Sequence, residues 1–320
     1  MKNVNSLTKF FNGQLFSSER QIQRIIILLG VAIVLAAVSF GGYYYYDRYY
    51  TSQPKVVEQT LAEAEQAVRD EPDNVEKRIA LAETYLATLR YDDALAQASQ
   101  VYSTNPDNQV AWLVMGIANA NLGKPTDAIE PLTRFYDARK DEEMPGLDRQ
   151  LQSAAYYLGD SYLQLGQADK AVPVLENGVI WSQTDADAMY KLGLAYSAVK
   201  EYDKAAAVLQ RATAFVPDFL EVYEAMATVY DASSQPDLAG YARGMVAYSQ
   251  KDYNKALELL LKAVQAQPGF APASAGLGLT YEAMGDLKSA KASYETAVVL
   301  DPQNFTASQG VARTEAALKK

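Results

Sequence analysis

The sequence contains few side chains that could carry out acid–base, nucleophilic or metal chemistry. Its 320 residues include no histidine and no cysteine, which removes the usual general base and the commonest zinc ligands. Carboxylates such as Asp160 and Asp187 could act as an acid–base pair only in a water-poor pocket that separates their pKa values. No phosphate-binding glycine loop or nucleophile motif accompanies them. We therefore expect a protein that is not an enzyme and that needs no cofactor or metal.

A second group of carboxylates, Asp141, Glu142 and Glu143, precedes Pro145 and Gly146. Calcium binding is one interpretation of this group, but the acids lack the ligand spacing of an established calcium loop. Proline and glycine beside clustered charges are typical of a solvated surface loop. The sequence therefore predicts a loop insertion over residues 138–150.

An uncharged run of 22 residues, 25–46, predicts a transmembrane helix. At about 1.5 Å per residue such a helix is about 33 Å long, which matches a hydrocarbon core of about 30 Å. Tyrosines at the end of the run are typical of the membrane–water interface; they are Tyr43, Tyr44, Tyr45 and Tyr46. Four basic residues precede the run, namely Lys2, Lys9, Arg20 and Arg24, while Asp47 follows it.

This charge asymmetry predicts a cytoplasmic tail over residues 1–24, a transmembrane helix over 25–46 and a short link over 47–54. The remaining domain, 55–320, would then be periplasmic or extracellular. A cleaved signal peptide ending near Ala37-Val38-Ser39 is the alternative. Small residues at Ala32, Ala36, Ala37 and Gly41 have a spacing that lets a second helix approach, although ordinary lipid-facing composition explains them equally well.

The net charge of −10 is unevenly distributed. Residues 1–50 contain five basic and two acidic residues, which leaves 24 basic and 37 acidic residues, a net charge of −13, in the rest. A domain with this charge should repel nucleic acid and anionic membranes.

Most of the chain carries an internal repeat. A small residue recurs at Ala82, Gly116, Gly159, Gly193, Ala227, Gly244 and Gly278, with spacings of 34, 43, 34, 34, 17 and 34 residues. An alanine recurs twelve residues after each of these positions, at Ala94, Ala128, Ala171, Ala205, Ala239, Ala256 and Ala290. Small residues let two helices approach closely, and the prolines near the ends of units stop the second helix. The pattern predicts two antiparallel helices per unit.

These units resemble tetratricopeptide repeats. The likeness is carried by segments such as Leu192-Gly193-Leu194-Ala195-Tyr196, followed by Tyr202 to Ala205 and Pro217. It extends over roughly residues 55–319. The resemblance implies an all-α fold, in which the transmembrane helix is followed by a solenoid of about six repeats plus half-repeats and a C-terminal capping helix.

The 17-residue step between Ala227 and Gly244 is half a repeat. We expect an irregular three-helix unit over residues 219–268, in which one helix serves as the second helix of one unit and the first of the next. Two complete hairpins in this segment would contradict that interpretation.

In tetratricopeptide proteins the first helices line a concave face that receives peptides or partner helices. Carried over to this chain, the resemblance places there Leu113, Ile117, Tyr156, Asp160, Leu163, Asp187, Tyr190, Leu194, Glu224, Tyr241, Met245 and Tyr248. This set lacks the basic residues that would grip a C-terminal carboxylate. It should prefer a segment with apolar anchors and basic residues. The alternative is that several of these side chains pack between repeats.

The resemblance implies a non-catalytic scaffold or adaptor, anchored in a membrane and serving as an accessory or assembly subunit of a membrane protein complex. Its partners would be complex subunits or peptides, with the lipid bilayer contacted through residues 25–46. The alternatives are a self-assembling structural envelope protein, which would be a homo-oligomer, and a peptide-binding sensor.

Overall fold

The computed structural model describes residues 56–319, and this range contains α-helices and no β-strand. The fifteen α-helices are α1 (Val56–Asp70), α2 (Val75–Ala87), α3 (Tyr91–Thr104), α4 (Gln109–Asn121), α5 (Pro125–Arg139), α6 (Arg149–Gln164), α7 (Ala168–Trp181), α8 (Ala186–Ala198), α9 (Tyr202–Phe215), α10 (Leu220–Ala232), α11 (Pro236–Ser249), α12 (Tyr253–Ala266), α13 (Ala271–Ala283), α14 (Leu287–Leu300) and α15 (Phe305–Leu318). The chain divides into two compact units, Met1–Thr60 and Leu61–Lys320, and α2 to α15 lie in the second. The predicted all-α solenoid is thereby confirmed.

The predicted tail, transmembrane helix and link, residues 1–54, lie outside the described range. Of the helices between residues 56 and 319, none has the length and apolar character needed to cross a bilayer. The assignment of residues 25–46 to a membrane stays a prediction.

Several of the helices that begin a unit start at an asparagine or aspartate whose side chain accepts a hydrogen bond from a backbone N–H three residues later. These residues are Asn74, Asn108, Asp148, Asp185 and Asn304. Such caps satisfy one of the backbone donors that a helix leaves unpaired at its start. Proline lies two residues before three of them, at Pro72, Pro106 and Pro302, where it ends the preceding helix. Cap and proline together set the boundary between units.

Within each unit the turn between the two helices contains one residue with positive φ. These residues are Leu89, Gly123, Gly166, Lys200, Ser234, Lys251 and Gly285. Their spacings of 34, 43, 34, 34, 17 and 34 residues equal those of the small-residue series. The same turn therefore recurs in every unit, including those where the residue is not glycine.

The helices of a unit pack through a small residue on one and a large residue sixteen positions later on the other. A Cβ added at the glycine would lie within 2.9 Å of that large side chain. The pairs are Gly116 with Leu132, Gly159 with Leu175, Gly193 with Leu209, Gly244 with Leu260 and Gly278 with Tyr294. In the first unit both positions, Ala82 and Ala98, are alanine and fully buried. Close approach of the backbones explains the small-residue series.

The helices form two rows. The first helices of the units are α2, α4, α6, α8, α10, α11, α13 and α15, and the second helices are α3, α5, α7, α9, α12 and α14. Each first helix contacts the next one along its row, whereas successive second helices in the described range make few or no contacts. The first helices are therefore closer together, so their shared face is the inner side of the solenoid.

The long 43-residue step corresponds to extra residues on both sides of a short loop. Helix α5 continues to Arg139, a 3₁₀ turn spans Pro145–Leu147, and α6 begins at Arg149 and is 16 residues long. The Arg139 guanidinium pairs with the Asp148 carboxylate at 2.8 Å. This ion pair holds the two ends of the loop together.

The 17-residue step corresponds to a shared helix. Three helices, α10, α11 and α12, lie between Phe219 and Pro268. Helix α11 packs on α10 as the second helix of one hairpin, and it packs on α12 and α13 as the first helix of the next unit.

Candidate functional site

The twelve residues expected to bind a partner lie on five first helices, α4, α6, α8, α10 and α11, and their exposure differs. Asp187 and Glu224 are exposed. Partly buried side chains make up most of the rest, namely Ile117, Tyr156, Asp160, Leu163, Tyr190, Leu194 and Tyr248. These nine remain available to a partner.

Leu113, Tyr241 and Met245 are buried, with relative exposures of 4%, 2% and 1%. Leu113 belongs to the same apolar cluster as Leu151, which lies in the first turn of α6. The Tyr241 ring packs edge-on against the Phe270 ring, with centroids 5.0 Å apart. These three side chains pack between repeats, so they do not contribute to the exposed concave face.

The exposed candidates concentrate on α6, α8 and α10. We define the acidic–aromatic surface as Tyr156, Asp160, Asp185, Asp187, Tyr190, Glu221 and Glu224. Asp185 caps α8 by accepting the Ala188 N–H at 2.9 Å, and Glu221 lies in the first turn of α10. Repeat spacing places Tyr156 and Tyr190 at equivalent positions of α6 and α8, 34 residues apart.

Both tyrosine rings lie in the negative field of these carboxylates. Burial, and then the charges of Asp160, Asp187 and Asp185, raise the pKa of Tyr156 to about 12. The pKa of Tyr190 is also raised, first by burial and then by Glu221, Glu224 and Asp160. Carboxylates from three helices therefore converge on two rings.

One lysine is built into this surface. The Lys191 ammonium pairs with the Asp160 carboxylate at 2.5 Å and lies 5.8 Å from the centre of the Tyr190 ring. The pair links α8 to α6. Within residues 56–319 no ion pair involves the carboxylates of Asp187, Glu221 or Glu224, so these three keep their full attraction for a partner's cations.

A groove of about 490 Å³ opens at one end of the acidic–aromatic surface. Its lining combines rings with charges of both signs: Arg149, Gln152, Ser153, Tyr156, Tyr157, Asp185 and Asp187. The Tyr156 and Tyr157 rings meet edge to face with centroids 5.2 Å apart. The groove can therefore bury an apolar side chain beside carboxylates that select a positive charge.

The sequence alone did not single out Asp185, Glu221, Arg149 or Lys191. Asp185 and Glu221 could have been found, because acids at the start of a first helix point toward the same end of the inner row. Lys191 could not, since its contribution depends on the distance to Asp160 in the neighbouring unit.

The arrangement does not suit acid–base catalysis. Asp160 is engaged with Lys191, and Asp187 is exposed to water. Between residues 56 and 319 no group of three or more acidic side chains is arranged to hold a metal ion. What this surface offers is charge and apolar contact area.

Two models of the tetratricopeptide repeat match the chain, one over residues 79–143 and the other over residues 149–229 and 247–314. Together they cover about two thirds of the sequence. The interruption between residues 229 and 247 includes most of α11, the shared helix. No curated protein matches the sequence.

Several solved structures are similar. YrrB, described as a TPR protein with an unusual peptide-binding site, is 18% identical with a TM-score of 0.48, over 67% of this chain and 96% of that one. MamA from Desulfovibrio magneticus RS-1 is 22% identical with a TM-score of 0.44, over 58% and 95%. A tetratricopeptide repeat protein from Parabacteroides merdae ATCC 43184 is 14% identical with a TM-score of 0.44, over 85% and 95%.

Proposed function

Because the chain belongs to the tetratricopeptide repeat family, we propose that it is a non-catalytic scaffold that binds a segment of a partner protein on its acidic–aromatic surface. The segment carries basic residues and apolar anchors. The observation that supports this most directly is the group of carboxylates near Tyr156 and Tyr190 on neighbouring first helices. Three of them, Asp187, Glu221 and Glu224, form no ion pair within residues 56–319.

Each component of the surface contributes to recognition in a different way. Unpaired carboxylates attract cations and disfavour acidic segments, which affects association rate and specificity more than affinity. Tyrosine rings supply buried area at low entropic cost and can accept a cation on their face, worth about 0.5–1 kcal/mol at an exposed site. A segment in which lysine or arginine alternates with apolar residues meets both requirements.

The repeat also limits how a partner segment is spaced. Packed helices have axes about 8–10 Å apart, and an extended chain advances about 3.3 Å per residue. Tyr156 and Tyr190 lie at equivalent positions of contacting helices. An extended partner should therefore present one recognised side chain to each first helix about every three residues.

We further propose that residues 25–46 anchor the protein in a membrane, with the N-terminus cytoplasmic and the solenoid on the other side. The support is the uncharged run with its basic N-terminal flank. The scaffold would then serve as an accessory or assembly subunit of a membrane protein complex. Protease added outside spheroplasts should digest the solenoid, and full protection would contradict this orientation.

Charge reversal on the two rows tests the binding surface. Asp187 and Glu221 lie in the first turns of the first helices α8 and α10, while Asp169 and Asp203 lie in the first turns of the second helices α7 and α9. The variants D187K/E221K and D169K/D203K change net charge equally, and each places lysines at helix starts. We expect co-purification of cross-linked partners from native membranes to fall at least fivefold in D187K/E221K only.

Equal recovery of partners with both variants, at comparable helical content by circular dichroism, would contradict the assignment of the surface. Recovery of cross-links between copies of this chain alone would instead favour a self-assembling protein.

A further inference from the structure

A cavity lies beside the shared helix α11, which contributes Tyr241 and Met245 to its lining. Its volume is about 170 Å³, and its walls come from α9, α10, α11, α13, the turn between α14 and α15 and the start of α15. Because half a repeat is missing between α9 and α13, the end of α9 and the turn at Gln303 line one cavity. None of the seven residues of the acidic–aromatic surface lines this cavity, although α10 contributes to both.

The deep side of the cavity is aromatic and apolar. Tyr223 and Tyr241 line it with their rings edge to face, the centroids 6.2 Å apart. The Tyr223 hydroxyl donates to the Pro217 carbonyl at 3.0 Å, so its polar end is already satisfied. Met245 adds a thioether and Pro272 a ring. Rings and thioethers favour an aromatic guest that can pack edge-on.

The charge of the lining excludes anions. All residues of the lining belong to the described part of the chain, and the charged one among them is Asp301. Its carboxylate already accepts a hydrogen bond from the Gln303 N–H at 3.0 Å. A carboxylate or phosphate entering the cavity would lose water without gaining a cation. A cation would gain one carboxylate, which lies toward the exposed Gln303 and not on the aromatic side.

The size of the cavity fits one ring. A cavity of about 150 Å³ in another protein accepts benzene, so about 170 Å³ holds a phenyl or phenol group. Polar side chains line the part near solvent, among them Gln210 and Asn304, and their amides can pair with a peptide backbone. Phe305, 66% exposed, extends the apolar surface beyond the opening.

We propose that this cavity is a second binding site, which accepts one uncharged aromatic side chain from an extended segment of a partner polypeptide. The backbone of that segment crosses the amide side chains at the opening, and its neighbouring apolar residue rests on Phe305. The half-repeat thus adds an anchor point to the solenoid.

The test uses N-acetyl-4-fluorophenylalaninamide as the probe and the full-length chain in lipid nanodiscs. Binding is followed by broadening of the probe's fluorine resonance. For a probe of about 16 non-hydrogen atoms we expect a dissociation constant on the order of 1 mM. N-acetyl-4-fluorophenylalanine, which carries a carboxylate, should bind at least threefold more weakly.

A matched pair of variants locates the binding. Ala214 and Ala207 are both exposed on α9, but only Ala214 lines the cavity. Ala214→Phe should place a ring in the cavity and weaken binding at least tenfold, whereas Ala207→Phe should stay within twofold of the unchanged protein. Phe305→Ala, at an exposed position that folding tolerates, should weaken binding about threefold.

Absence of saturable broadening with the unchanged protein would overturn the proposal. So would equal binding by Ala214→Phe and Ala207→Phe. The variant D187K/E221K should bind the probe normally, so that failure of this site and failure of the acidic–aromatic surface are told apart.

Discussion

At the scale of single residues, the close approach of the two helices of a unit depends on a glycine facing a leucine. At Gly193 an added Cβ would lie 2.5 Å from the Leu209 side chain, well inside ordinary contact distance. Ala82 and Ala98 occupy the equivalent positions in the first unit, and both are fully buried. The chain thus contains two solutions to the same packing problem, a glycine with a large partner and two alanines.

This comparison predicts a strong coupling between the two positions. Gly193→Ala should lower the free energy of unfolding by about 1–3 kcal/mol through overpacking, and Leu209→Ala should lower it by about 2–5 kcal/mol through loss of buried area. The double variant should cost at least 1 kcal/mol less than the sum, because alanine relieves the clash. Urea unfolding of the four proteins measures this, and simple additivity would contradict the packing explanation.

The turns predict stabilising substitutions. Lys200 has a φ of 65°, while Gly166 has a φ of 70° at the equivalent turn of the preceding unit. A left-handed conformation costs a residue with a side chain about 1–2 kcal/mol. Lys200→Gly should therefore raise the free energy of unfolding by about 0.5–1 kcal/mol, and Gly166→Ala should lower it by a similar amount. In thermal unfolding, a lower midpoint for Lys200→Gly or a higher midpoint for Gly166→Ala would show that another contact determines the stability of the turn.

Residue patterns in the sequence predicted these contacts but not the exposure of every inner side chain. The small-residue series predicted the helix pairs and their close approach. It did not predict the burial of Tyr241, because that depends on α11 serving two units and on Phe270 packing against the ring. Similarly, Leu113 is buried in an apolar cluster with Leu151, which lies in the first turn of α6. The 43-residue spacing alone does not predict this contact.

At the scale of elements, the capping helix α15 is fixed by one buried tyrosine. An added Cβ on Gly278 of α13 or on Gly310 of α15 would clash with the Tyr294 ring, so the ring fills the space between these helices. Its hydroxyl donates to the Glu282 carboxylate at 2.6 Å. Arg313 of α15 pairs with the same carboxylate at 2.8 Å. The sequence predicted a C-terminal capping helix, and Arg313 ties this helix to the stack.

This network predicts a pH dependence of stability. Hydrogen bonds from Arg313, opposed by burial and assisted by Tyr294, hold the pKa of Glu282 below its ordinary value of 4.5. A carboxylate with a lowered folded-state pKa stabilises the protein fully above its unfolded pKa, and this contribution is lost as pH falls through the folded value.

Between pH 6 and pH 3 the unfolding midpoint should therefore fall less in Glu282→Gln than in the unchanged protein. Arg313→Met should show the same reduced slope, because it removes the other partner of the same pair. Urea unfolding across this range measures both variants. Slopes equal to that of the unchanged protein would exclude the pair as a source of acid sensitivity.

At the scale of the whole molecule, two departures from the 34-residue repeat determine where binding sites can lie. The insertion after α5 lengthens α6 at its start, next to the groove that contains Tyr156. On the shared helix α11, Tyr241 is buried and so is not exposed on the inner surface. Its side chain lines the cavity of about 170 Å³ instead. The irregular units thus contribute residues to both candidate sites, and the regular unit that contains α8 contributes Tyr190 to the acidic–aromatic surface.

In the proposed function a partner occupies the inner row of helices at Tyr190. A photo-crosslinking residue, p-benzoylphenylalanine, placed at Tyr190 tests this in intact cells, with Ile180 as the control. Ile180 is 63% exposed on the second helix α7, so both positions are open to collision. We predict a discrete crosslinked partner from position 190 that disappears when D187K/E221K is added, and little or none from position 180. A crosslink that forms equally at both positions, or at position 180 alone, would contradict binding of the partner on the inner row.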